Sequence, residues 1–144
     1  MTTSFAEELL TLSGMSAEFG YLIDHGRATE CAKLFAADAR LIFGPGSPRP
    51  GTIAGIEAIR EFLVARQSQT HVTTRHQATN FCMQRDGAEA ELQSLLTLFR
   101  SDEEQPQPVV SVVADIHERF VRSATGEWLI RERRTLPIFV RTIP

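Results

Sequence analysis

A change of hydrophobic period near residue 68 restricts what this chain can fold into more than any other feature. Before it, apolar side chains recur at helical spacing; after it, they alternate over four segments of twelve or more residues. Ser4 followed by Glu7 fits a capping box and predicts a helix start there. Leu9, Leu10, Met15, Phe19, Leu22 and Ile23 continue that helix, with Gly14 as a candidate break and Gly26 as its left-handed end. A second short helix is predicted over Arg27–Ala36, a short strand over Arg40–Phe43, and a third helix over Gly55–Gln67. Between the last two lies GPGSPRPG, Gly44–Gly51, too rich in glycine and proline for regular structure.

The alternating segments are read as strands at His71–Gln84, Ala88–Arg100, Val109–Arg122 and Glu127–Val140. Arg85-Asp86-Gly87 and Ala124-Thr125-Gly126 supply hairpin turns. Helices first and antiparallel strands second is an α+β order. Strands this long exceed the usual five or six residues, so they are expected to bend through bulges and wrap the helices. A sheet curved around helices encloses a pocket of the kind that holds small ligands.

The 144 residues are expected to form one domain, residues 1–144, without repeat or linker. A net charge of −3 argues against a nucleic-acid partner. No secretory leader and no apolar run long enough for a bilayer is evident, so the expected location is the cytoplasm, with no membrane partner. Cys31 and Cys82 have neither metal-type spacing nor a nucleophile's context, and no metal or cofactor is indicated.

Strand parity puts Val72, Thr74, His76, Ala78, Asn80 and Cys82 on one face, with Arg75, Gln77 and Thr79 on the other. A histidine on the less charged face is either a working acid/base or a hydrogen-bonded core residue. Similarly, Asp24 either orients such a histidine or caps the turn at Gly26 and Arg27.

The segments YLIDHGRATECAKLFAADARLIF, GTIAGIEAIREFL, IHERFVR and GEWLIRERR, in this order, resemble the SnoaL-like family of the nuclear-transport-factor-2-like superfamily. The resemblance runs from about Phe5 to Thr135 and implies a cone-shaped, strongly curved mixed or antiparallel sheet on N-terminal helices, with an internal pocket. Family members include polyketide cyclases, scytalone and bile-acid dehydratases and ketosteroid isomerases, beside binding domains. The resemblance implies a hydrophobic small-molecule ligand and a homodimer.

In the dehydratase-type members an aspartate at the end of the first helix pairs with a histidine on the first long strand; Asp24 and His76 match them. Phe19 stands where bile-acid dehydratases have a tyrosine, and Tyr21 is the candidate replacement donor at the cavity mouth. Phe43 and Ile116 replace the two carboxyl groups of the ketosteroid isomerases. Asn80 is a candidate hydrogen-bond donor to substrate, while Glu118 is drawn inward towards Arg133 on the next strand. Phe19, Phe43, Asn80, Ile116, Glu118 and Arg133 are thus the expected binding residues. Two readings follow: a cofactor-independent dehydratase, isomerase or cyclase, or a non-catalytic module that binds a small molecule or dimerises.

Overall fold

Long strands need bends, and the computed structural model, which describes residues 3–141, has a register shift in every pairing between the strands that build the pocket. Helix α1 spans Phe5–Asp24 and begins with the expected capping box. Ser4 Oγ accepts from the Glu7 amide, and the Glu7 carboxylate accepts from the Ser4 amide. Gly14 does not break the helix. A mid-helix glycine costs up to about 1 kcal/mol, and the buried stripe of Leu12, Phe19, Leu22 and Ile23 outweighs it.

The second helix is a shorter 3-10 turn, Ala28–Leu34, and Phe35 already opens strand β1 (Phe35–Phe43). A strand not foreseen from the sequence follows: β2, Gly51–Ala54, pairs antiparallel with β1, so the proline-rich loop is a hairpin connection. Helix α2 covers Ile56–Gln67. Strands β3 (Thr73–Asp86), β4 (Glu89–Ser101), β5 (Val109–Arg122) and β6 (Trp128–Val140) lie within two residues of the expected bounds at each end.

The sheet order is β2-β1-β6-β5-β4-β3, with β1 parallel to β6 and every other pair antiparallel. The result is a mixed six-stranded sheet, open at β2 and β3, with the helices packed on one face. Helix α1 lies against β3, α2 packs over β1, and the 3-10 turn packs against both helices. Leu12, Leu41, Ile59, Leu63, Leu92, Phe120 and Ile130 form the fully buried centre between these layers. Among the described residues no helix is long and apolar enough to cross a membrane.

One irregularity corrects the strand parity read from sequence. Thr79 pairs with Leu95 and Cys82 with Gln93, so Asn80 and Phe81 together oppose Ser94. Asn80 takes a left-handed backbone (φ 58°), a conformation that asparagine tolerates better than most residues. The extra residue inverts the alternation beyond it. Thr74, His76 and Ala78 face the helices, but Asn80 and Cys82 are exposed and Phe81 and Met83 turn inward instead.

Candidate functional site

The curved sheet and the helices leave a cavity of about 400 Å³, within the usual range of small-ligand sites. Its walls are largely apolar: Phe19 from α1, Phe43 from β1, Phe62 from α2, Leu96 and Leu98 from β4, Val112 from β5. Gly46, Ser47 and Pro48 of the proline-rich loop form part of the rim. His76 and Arg133 supply polar groups to the interior.

Asp24 is the last residue of α1, and an acidic side chain there opposes the helix dipole. Its position is justified by contacts with β3. His76 Nδ1 lies 2.6 Å from Asp24 Oδ1, and the His76 amide donates to Oδ2 at 2.7 Å. Thr74 Oγ1 donates to Oδ1 at 2.8 Å, and Arg66 Nη2 donates to Thr74 Oγ1 at 3.1 Å. The Gly26 and Arg27 amides go instead to the carbonyls of Ile23 and Leu22, so Asp24 does not cap the turn.

Burial pushes the Asp24 carboxyl up. The hydrogen bonds from the His76 ring and amide, the His76 charge and the Thr74 hydroxyl outweigh it and hold the group below its ordinary value. Asp24 is therefore a carboxylate at neutral pH and accepts from Nδ1–H. That tautomer, inferred from the network, leaves Nε2 with its lone pair; no hydrogen bond engages Nε2 among the described residues.

The dyad depends on a residue that sequence reasoning passed over. A Cβ added to Gly20 would lie 2.6 Å from His76 Cβ and 3.1 Å from Cγ. Helix α1 can approach β3 closely enough for the Asp24 contact only because position 20 has no side chain. Gly20→Ala is expected to fold with a loss of about 1–3 kcal/mol and with the imidazole displaced from Asp24. Chemical denaturation and the histidine ring resonances measure the two effects; an unmoved His76 resonance would refute the dependence.

Arg133 and Glu118 are register partners on β6 and β5. Arg133 Nη1 donates to Glu118 Oε2 at 2.5 Å and approaches Ser16 Oγ at 3.4 Å, while its guanidinium lies 4.4 Å from the Phe19 ring centroid. Glu118 is buried behind Arg133 and does not line the cavity; its Oε1 has no hydrogen-bond partner among the described residues.

Besides Glu118, three expected site residues lie elsewhere. Tyr21 is 54 % exposed and stacks on His25, with ring centroids 4.1 Å apart. It follows Phe19 by two residues, a rotation of about 200° around the helix, and so points away from the cavity that Phe19 faces. Asn80 is turned to the outer face by the bulge. Ile116 packs with Leu96 and Ala114 in a small core cluster and does not reach the cavity. Phe19, Phe43, His76 and Arg133 do line it. Burial pushes the Cys31 thiol up to about 12, which leaves no thiolate there.

Arg66, Thr74 and Arg100 also line the cavity and were not singled out from the sequence. For Arg66 a signal existed: it follows Phe62 by four residues and Ile59 by seven, a charge on an apolar stripe. Arg100 became legible only through the β3–β4 register, which sets it opposite Thr74.

Known proteins agree with this architecture. A putative scytalone dehydratase from Novosphingobium aromaticivorans is similar at 18% identity, over 93% of this chain and 86% of that one, with a TM-score of 0.78. An NTF2-like protein with a cystatin-like fold from the same organism gives 16% identity over 96% and 92%, TM-score 0.73. ActVI-ORFA from Streptomyces coelicolor gives 16% identity over 88% and 93%, TM-score 0.72. At these identities the likeness establishes the fold alone. No curated protein sequence matches significantly. The family model of the SnoaL-like domain matches residues 12–134, most of the chain and both halves of the Asp24–His76 pair. The chain belongs to the SnoaL-like domain family.

Proposed function

We propose that this protein is an acid/base enzyme of the dehydratase, isomerase or cyclase type, acting on a hydrophobic small molecule without a cofactor. One observation carries the reading: an imidazole held at 2.6 Å by a buried carboxylate, in the wall of an apolar cavity. His76 Nε2 is the base and Asp24 its orienting partner. A proton alpha to a ring carbonyl passes to Nε2, and the enolate oxygen that forms is stabilised by the Arg133 guanidinium. The imidazolium beside Asp24 then returns the proton to the β-hydroxyl group, which leaves as water as the enolate electrons form the new double bond. The products are an enone and water, with no change in oxidation state overall.

With Tyr21 and Asn80 outside the cavity, His76 serves as both base and acid. Proton and hydroxyl then leave from the same face of the substrate. Isomerisation differs only in the carbon to which the proton returns.

The test is turnover of a cyclic β-hydroxyketone such as β-hydroxytetralone, whose dehydration gives an absorbing naphthol. His76→Ala is expected to lower kcat by about 10²–10⁴-fold while the ligand still binds. Full turnover in that variant would end the proposal. The phenylalanines at Phe19 and Phe43, which line the cavity in place of polar groups, favour a second reading as a binding module. Tight ligand binding with no turnover in the unaltered chain would select it.

A further inference from the structure

The charges around the cavity are one-sided. Arg66, Arg100, Arg133 and Arg141 line it together with His76, and among the described residues no carboxylate does, in a chain whose net charge is −3. Two of the four arginines have an acidic partner: Glu118 answers Arg133, and Asp102 lies 3.2 Å from Arg100. Arg141 is exposed.

Arg66 is the exception that matters. It is half-buried and, among the described residues, makes no salt bridge; one Nη2 bond to the Thr74 hydroxyl uses a single donor of its fork. The nearby Asp24 carboxylate is already engaged by His76 and Thr74. Thr74 and Arg100 are register partners, so Arg100 stands beside the Arg66–Thr74 contact. Burial, and secondarily the like charge of Arg100, push the Arg66 guanidinium down, as expected of two cations facing one space. The Asp24 charge offsets this only in part, and a half-buried guanidinium that makes no ion pair among the described residues leaves its fork free for an anion.

We propose that the cavity is built for a ligand that carries a carboxylate, gripped by Arg66 and Arg100, with its apolar body along Phe43, Phe62, Leu96 and Leu98. A planar carboxylate matches the guanidinium fork. The adjacent rim is poor in backbone N–H groups for a phosphate, since Pro45, Pro48 and Pro50 have none and the Gly44 and Ser47 amides already donate to the Thr135 and Gly44 carbonyls. The geometry also sets the distance from acid to reacting carbon. Thr74 and His76 are two residues apart on one strand face, about 7 Å, so the acid and the carbon that gives its proton to His76 are separated by about the width of one ring. Only that spacing rests on the acid/base reading; acid binding itself does not.

The experiment compares β-naphthoate with methyl β-naphthoate by calorimetric titration of the full chain at neutral pH and low salt. The unaltered protein is expected to bind the acid about tenfold tighter or more. Arg66→Met should bring the two affinities within about threefold of each other, and Arg66→Lys should reduce the preference, because an ammonium has no fork. His76→Ala should keep the preference while losing turnover, which separates failure of this inference from failure of the acid/base reading. An unaltered protein that binds neither probe, or the ester as tightly as the acid, overturns the inference. So does an undiminished preference in Arg66→Lys, which remains decisive if Arg66→Met does not fold.

Discussion

Arg133→Met is expected to cost about 3–5 kcal/mol of folding stability, a large part of the roughly 5–15 kcal/mol a domain of this kind has. Arg133 and Glu118 are 6 % and 2 % exposed, and their contact is the only hydrogen bond Glu118's carboxylate makes among the described residues. Removing the guanidinium leaves a buried carboxylate without the donor that now satisfies it. The loss of stacking on Phe19 is the smaller effect, because methionine also packs well against an aromatic ring. The double change Glu118→Leu with Arg133→Met should therefore recover most of the loss, since a buried pair replaced by apolar groups is often neutral. Urea denaturation of the two variants measures this. A single-variant cost below about 1 kcal/mol would mean that solvent reaches Glu118 and that the pair behaves as a surface bridge.

Asp24→Asn should lower kcat by about 10²–10⁴-fold and change how stability depends on pH. The amide oxygen can still accept from His76 Nδ1, so the ring is held, but the neutral group no longer stabilises an imidazolium. For stability the sign follows from the direction of the shift. The folded carboxyl is held below its ordinary value, with the bonds from His76 and Thr74 overcoming burial. Its contribution is then fully present above the unfolded value, near pH 4, and is lost as pH falls through the depressed folded value. The stability difference between the unaltered protein and Asp24→Asn should accordingly shrink as pH falls below roughly pH 4. Equal acid sensitivity of the two proteins would show that Asp24 is not held ionised by this network. Turnover within a few-fold of the unaltered protein would remove Asp24 from the proposed mechanism.

The elements that were legible in the sequence are those set by local chemistry. The capping box at Ser4, the glycine after α1 and the RDG turn depend on neighbours three or four residues away at most. Period-two alternation located β3 to β6 because each strand has one buried and one wetted face along most of its length. β2 escaped notice because GTIA is short and mostly exposed, so it has no buried face to announce it; its pairing with β1 holds it. Tyr21 was placed by its distance from Asp24, and the orientation of α1 on β3 decided otherwise.

What the sequence alone determined is the α+β order, the bounds of the long strands and the identity of the Asp24–His76 pair through family resemblance. Which residues surround that pair was decided by tertiary structure, and chiefly by one residue. From the RDG turn, twelve steps back from Asp86 and twelve forward from Glu89 would set Thr74 against Ser101. The bulge at Asn80 and Phe81 moves the pairing by one, so Thr74 meets Arg100 and His76 meets Leu98. Because side chains alternate with a period of two, that single step changes which members of β4 share the cavity face with His76. It also removes Asn80 from the cavity. A bulge arises from the fit of two bent strands around the helices, and no window of sequence along β3 contains that constraint.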